Sequence, residues 1–397
     1  MKTIKEIMVV TVLSSSLFAG AGGSKSVDKV SIAKDNIGDF LVAPAYIAEG
    51  KVCSETTLMN VYDDKSILVK IAIREQIQSD EVDLPVFLSP NDVWDAKICD
   101  VNGKPTLFSC DDSNHPDIAN ELCTTGINLN AHSESAGNGG DFHKGYIEYY
   151  PIAQYNEGKT GKVEKKTLVS RWDELIKGNV NNPKLNKDCH GVHGYGLTGF
   201  IKIQESEMQL VAFKGTSDKI QSGKVIDYSN DTSPETLLGV GKTKEILNLL
   251  SKRKVFVPYN NFGKEQYVYL SFIFDRTSNQ SRKFEVEVRD MEENTSKIKR
   301  LIISPAPRKL TNSVSNELGI ISLKKIIDET RTPENFEKGM ITIKEVRNEH
   351  SGQLGSNKNA SFLPTKVTYG QFLTIESNKK VNGEWTGIKS WSMVPTK

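Results

Sequence analysis

Hydrophobic and polar residues alternate with a period of two over long stretches of the chain, and the clearest run is Phe40 to Glu75. It divides into three consecutive strand-like segments. In the third, Ile67, Val69, Ile71 and Ile73 fall on one face, with Lys70 and Arg74 on the other. That alternation predicts a strand with one buried and one wet face. A similar stretch returns from Val255 to Val288, where Phe284, Val286 and Val288 alternate with Lys283, Glu285, Glu287 and Arg289. Further strands are predicted over Leu84 to Pro90, Val93 to Cys99, Gly145 to Tyr150, Leu197 to Gln204 and Met208 to Lys214. Asn102-Gly103 is a tight-hairpin signal with Thr106 to Cys110 as the return strand.

Helical signals are few. Ser170 is placed to cap a short helix containing Trp172, Leu175 and Ile176, with Asp173 at the box position. Pro234 to Lys252 carries Leu237, Leu238, Ile246, Leu247, Leu249 and Leu250, with Ser233-Pro234 as cap and first position. On either side of that helix, four segments recur in the same order. Val42 to Tyr46 answers to Val257 to Tyr259, and Phe87 to Pro90 to Ile302 to Pro305. Phe142 to Ile147 answers to Phe336 to Ile341, and Phe200 to Ser206 to Phe372 to Ser377. The expectation is therefore a mostly β protein of two tandem antiparallel β-sandwich, immunoglobulin-like domains, 36–232 and 253–397, with a connecting α-helix at 233–252. Between Asp111 and Phe142 the chain is rich in Asp, Asn, Ser and Gly, which predicts a long surface excursion in the first domain.

Lys2 and Lys5 precede an apolar run from Ile7 to Phe18, and Ala19-Gly20-Ala21 offers a small-x-small cleavage site. Residues 1–21 thus read as a signal peptide cleaved after Ala21, and 22–35 as a flexible lead-in. The apolar run is shorter than the roughly 20 residues a membrane span needs, no later segment is long enough, and Ser390 to Lys397 has no hydrophobic tail. Without residues 1–21 the basic and acidic residues balance, which gives no long-range attraction to nucleic acid or anionic lipid.

Export makes the cysteines candidates for disulfides: Cys53, Cys99, Cys110, Cys123 and Cys189, an odd number confined to the first half. Cys110 and Cys123 bracket an acidic loop and are the first choice of pair. Cys99 with Cys110, across the Asn102-Gly103 hairpin, is the alternative.

Motifs that carry chemistry are sparse. Gly241-Lys242-Thr243 suggests a phosphate loop, but Thr236 stands where the leading glycine belongs. The Gly137 to Gly140 run neither follows a strand nor opens a helix. Cys189, His190 and His193 are possible zinc ligands without a second pair, so a disulfide-bonded cysteine beside two loop histidines is preferred. Asp111, Asp112 and Asp117 carry oxygens of the kind calcium accepts, but lack the spacing of a helical calcium loop and read better as a solvated turn. Nucleophile-elbow and zincin motifs are missing, and Glu148 and Glu205 resemble exposed strand ends.

The opening strand with Pro44 and Tyr46, then Ser89-Pro90-Asn91-Asp92-Val93-Trp94, the acidic-Ser run, and Gly145-Tyr146-Ile147-Glu148 together resemble a group of exported, surface-associated bacterial proteins. S-P-x-D-V-W is the most specific element. In that group a cysteine follows the acidic-Ser run; here Asn114 does, and Cys110 precedes it. The resemblance implies export and β architecture, and brings no activity.

The expectation for function is an exported, non-catalytic structural or adhesive protein of the periplasm or cell surface, without cofactor. Its partner would be itself or another surface component, joined by strand addition. Two other classes remain. One is a glycan- or calcium-binding protein using residues 111–142; the other is a hydrolase built around His143, His190 and His193.

Overall fold

A computed structural model describes residues 31–77, 80–133, 140–155, 169–170, 172, 189–190, 196–203 and 206–214. In the second half it describes 254–260, 266–273, 282–292, 295, 299–303, 313–314, 318–322, 338–345, 369–377, 380–381, 384–385 and 388–393, mostly as backbone. The helix expected at 233–252 lies outside the described residues.

The fold is mostly β with antiparallel sheets. In the first half the strands are β1 (Ser31–Ile32), β2 (Phe40–Ile47), β3 (Ser54–Asn60), β4 (Ser66–Glu75), β5 (Glu81–Leu88), β6 (Val93–Asp100) and β7 (Pro105–Phe108). They are followed by α1 (Pro116–Thr124), β8 (Ile127–Asn128), α2 (Leu129–His132), β9 (Lys144–Tyr155), β10 (Cys189–His190), β11 (Leu197–Ile203), β12 (Ser206–Gln209) and β13 (Val211–Lys214). One sheet runs β1-β13-β2-β9-β4-β5, with β10 also on β9; the other runs β12-β11-β3-β6-β7-β8. Strands β12 and β13 lie in different sheets, so the chain changes sheet at the buried Leu210. The three segments of Phe40 to Glu75 are β2, β3 and β4, shared between the two sheets.

One buried cluster draws on both sheets. Ile67, Val69, Ile71 and Ile73 of β4 meet Leu58, Trp94, Ile98 and Ile201 of the second sheet. This is the apolar face that period two predicts. Thr56 and Tyr149 join their hydroxyls across the gap. In β6 the alternation is complete, with Trp94, Ala96 and Ile98 inward and Val93, Asp95 and Lys97 exposed.

Strand β4 departs from expectation. Lys70 and Arg74 do not face water: every residue of β4 is buried, so the strand is covered on both faces. Glu148, read as an exposed strand end, is 1 % exposed. A charged residue passes for a solvent-facing one when only its own strand is considered. Here its opposite charges arrive from β5 and β9, which the local pattern does not contain.

The described residues 111–133 and 140–142 are not an irregular surface excursion. They hold α1, β8 and α2, and bury Ser113, Asn114, Leu122, Leu129 and Phe142. The short lead-in also ends in structure, since Ser31–Ile32 pairs with Phe213 and Lys214. Val169, Ser170 and Trp172 are helical, which puts Ser170 inside the short helix instead of at its cap.

The second half contains β14 (Lys254–Asn260), β15 (Gln266–Ile273), β16 (Arg282–Asp290), β17 (Lys299–Ile303), β18 (Ser313–Val314), β19 (Leu318–Ser322) and β20 (Lys338–Glu345). It continues with β21 (Tyr369–Ser377), β22 (Lys380–Val381), β23 (Glu384–Trp385) and β24 (Ile388–Met393). Its sheets run β14-β20-β16-β17-β18 and β19-β15-β21-β24, with β22 and β23 as a separate pair.

Candidate functional site

Two places concentrate polar side chains. The first surrounds the Ser89 to Trp94 turn, which leads β5 of one sheet into β6 of the other. Asn91 adopts a positive φ of 57°, a conformation Asn tolerates better than most residues. Asp92 accepts from the Ser89 backbone N–H at 2.8 Å and from the Ser113 hydroxyl at 3.3 Å. Trp94 is fully buried, and its Nε1–H donates to Asn114 Oδ1 at 2.9 Å. The Asn114 amide donates in turn to the carbonyls of Asp111 and Ser109 and to the Ser109 hydroxyl. Asn114 therefore uses both ends of its side chain to tie residues 109–114 beneath the turn. The S-P-x-D-V-W stretch does structural work here.

Residues 109–126 form a small lobe on β7. Cys110 and Cys123 are bonded. Cys99 is bonded to Cys53 across β6 and β3, which rules out the alternative pairing of Cys99 with Cys110. His115 caps α1 by accepting from the Asp117 backbone N–H, and Pro116 takes the first helical position. Gly126, at φ 72°, ends the helix where a Cβ would stand 2.6 Å from the Phe108 ring. Phe87, His115 and Trp172 pack as an aromatic group, with ring centroids 5.3 to 5.9 Å apart.

This lobe also covers the edge of β5 at its Phe87 end. The Phe87 N–H, pointing away from β4, donates to Ser113 O at 2.9 Å. By the strand's period the nitrogen of Pro85 faces the same way and has no hydrogen to offer.

The second place is the far face of the first sheet. Lys70 and Arg74 of β4 stand on either side of Ala72. Glu81 and Asp83 project from β5, and Tyr146, Glu148 and Tyr150 from β9. Arg74 pairs with Glu148 and, at 2.8 Å, with Glu81. The Tyr150 hydroxyl donates to Glu148 at 2.6 Å, and Lys70 pairs with Asp83 at 2.6 Å. Burial pulls the Arg74 pKa down, but Glu148 and Glu81 outweigh it and hold the guanidinium charged. Burial, then Glu148, pushes the Tyr150 phenol well up. Burial and the neighbouring Glu81 raise Asp83 to about 6 despite Lys70. Removing one member of such a group leaves an opposite charge buried without its partner.

A smaller group lies at one end of that sheet. His143 Nδ1 contacts Asp141, whose other oxygen accepts from Gln76 Nε2 at 2.6 Å. The hydrogen bond to Asp141 raises the His143 pKa against the opposing effect of burial. Burial pushes Asp141 up, but the bonds from His143 and Gln76 prevail and lower it.

The sequence candidates fare unevenly. Cys110 and Cys123 meet as expected. Asp111, Asp112 and Asp117 are not gathered into one site: Asp111 accepts the Ser113 N–H at 2.7 Å, while Asp112 and Asp117 are exposed. Among the described residues no group of three or more His, Cys, Asp or Glu is placed to hold a metal. His193 and Glu205 lie outside the described residues, and for Cys189 and His190 only the pairing with Tyr155 and Gln154 is described. The charged cluster was missed, although Glu81 and Asp83 at strand spacing just after Lys70 and Arg74 were a usable signal. No protein-family profile, curated protein or solved structure matches the chain.

Proposed function

We propose that this is an exported protein of two tandem, immunoglobulin-like β-sandwich domains, acting as a structural or adhesive component at the cell surface or in the periplasm. The observation that carries the reading is a shared strand order. The first half contains β2-β9-β4-β5 and β12-β11-β3-β6; the second contains β14-β20-β16-β17 and β24-β21-β15-β19. Taken in chain order, these strands correspond one to one. Registers agree as well. Gly145 lies between Tyr46 and Glu75, as Gly339 lies between Tyr259 and Asp290. Leu88 opposes Ile67 as Ile303 opposes Arg282, in keeping with the matching of Phe87 to Pro90 with Ile302 to Pro305. Glu75 and Asp290 each accept the backbone N–H two residues on.

Two disulfides support an oxidising, extracytoplasmic location, and the apolar run at Ile7 to Phe18 supplies the route. The disulfide-closed lobe belongs to the first domain alone, so partner binding is assigned there, on loops held by a rigid scaffold. Strand addition is disfavoured at the Pro85 to Phe87 part of β5, which the lobe and the proline cover.

The test is fractionation of cells with cross-linking, mass-spectrometric identification of neighbours, and mapping of thiols. The expected outcome is an extracytoplasmic protein with Cys53–Cys99 and Cys110–Cys123 oxidised and cross-linked to itself or to a surface component. A cytoplasmic protein with free thiols, or one that stays monomeric at high concentration and touches no surface component, contradicts the proposal.

A further inference from the structure

We infer that the charged cluster on the far face of the first sheet takes up a proton at Asp83 in mildly acidic solution, and that this sheet is then held more tightly than at neutral pH. The inference rests on the arrangement of charge and stands independently of the proposed function.

Around Ala72 the described residues bring two cations, Lys70 and Arg74, and three carboxylates, Glu81, Asp83 and Glu148, with the phenols of Tyr146 and Tyr150 beside them. Four of the five charged residues are less than 5 % exposed, and Asp83 keeps 19 % of its side chain accessible. The carboxylates are not equivalent. Glu148 is held by Arg74 and by the Tyr150 hydroxyl, and Glu81 by Arg74. Asp83 has Lys70 on Oδ2, while its Oδ1 is buried with no hydrogen-bond partner among the described residues. It also shares a sheet face with Glu81, two residues away. An ionised carboxylate in that position suffers desolvation and repulsion together, and a proton relieves both. The shift of Asp83 to about 6 agrees in direction.

The linkage sign follows from that shift. A carboxyl that binds its proton more tightly folded than unfolded contributes stability fully below its unfolded value and loses it as pH rises through the folded one. Stability due to Asp83 is thus present near pH 4 and gone above about 6.

The experiment compares thermal unfolding of the full chain and its D83N variant between pH 4.5 and 7.5, because Asn imitates the protonated acid. The two should melt closest together at pH 4.5, and the gap should widen with pH until D83N melts higher at pH 7.5 by about 3 °C or more. K70M provides an independent check: without its cation Asp83 should hold the proton to higher pH, moving the transition upward. A gap between D83N and the parent that does not change with pH overturns the inference, as does a D83N protein less stable than the parent at pH 7.5. A K70M transition that stays in place does the same.

Discussion

Asn114 and Arg74 show how single side chains in this protein hold distant segments. Asn114 is the acceptor for a fully buried indole and donor to three groups of the 109–111 turn. Asn114→Ala should cost about 1–3 kcal/mol in urea unfolding, because Trp94 Nε1–H and the turn's polar groups lose their partner in a dry site. Arg74→Met should cost more, about 3–5 kcal/mol, since it leaves Glu148 and Glu81 buried without their shared cation. Pairing it with Glu148→Gln should recover part of that loss, which a double-mutant cycle would measure. Gly145 tolerates no substitution of this kind: a Cβ would stand 1.8 Å from the Arg74 carbonyl oxygen.

Among the elements, the lobe built on α1 depends on its covalent closure. Replacing Cys110 and Cys123 by Ala should lower stability by roughly 3 kcal/mol through the freed loop entropy of the unfolded chain, measured by denaturant titration. Amide exchange should rise first in α1, with the β5 edge following because Ser113 guards it. The turn joining β4 and β5 answers instead to pH. His143 has its pKa raised by Asp141, so the stability it confers is complete below the ordinary histidine range. It is lost as pH climbs through the raised value. H143Q should flatten that part of a stability-against-pH curve between pH 6 and 8, and weaken the acid limb as well, because His143 is what chiefly holds the Asp141 pKa down.

Elements of this kind differ in how plainly the sequence announces them. The Asn102-Gly103 hairpin was legible, since both residues take the positive φ, 55° and 77°, that the dipeptide favours. The alternation of β6 was legible too, because one of its faces meets water. The burial of the other face of β4 was not: the charges that pair with Lys70 and Arg74 stand on β5 and β9, and nothing within Ser66–Glu75 reports them. The lobe at 109–126 was hidden for a related reason. Its polar residues look solvated in sequence, yet Ser113 and Asn114 are satisfied internally and buried. Cys99 was nearer Cys110 along the hairpin, but the register that sets Ser54 opposite Ile98 puts Cys53 beside it.

For the molecule as a whole, covalent cross-linking is unevenly distributed. All five cysteines lie in the first half. Reduction should therefore raise hydrogen exchange in β3, β6, β7 and α1 while β14 to β24 keep their protection, an outcome that mass spectrometry resolves peptide by peptide. Exchange that rose equally in both halves would mean that the two share a single cooperative unit.

The guard on β5 has a consequence in time. Ser113 and the proline-blocked rim it completes come from different parts of the chain, and β5 is synthesised first. A polypeptide made amino end foremost carries that bare position on β5 until the residues around Ser113 follow. Until Ser113 is in place, the amide of Phe87 stays open to a strand from another chain.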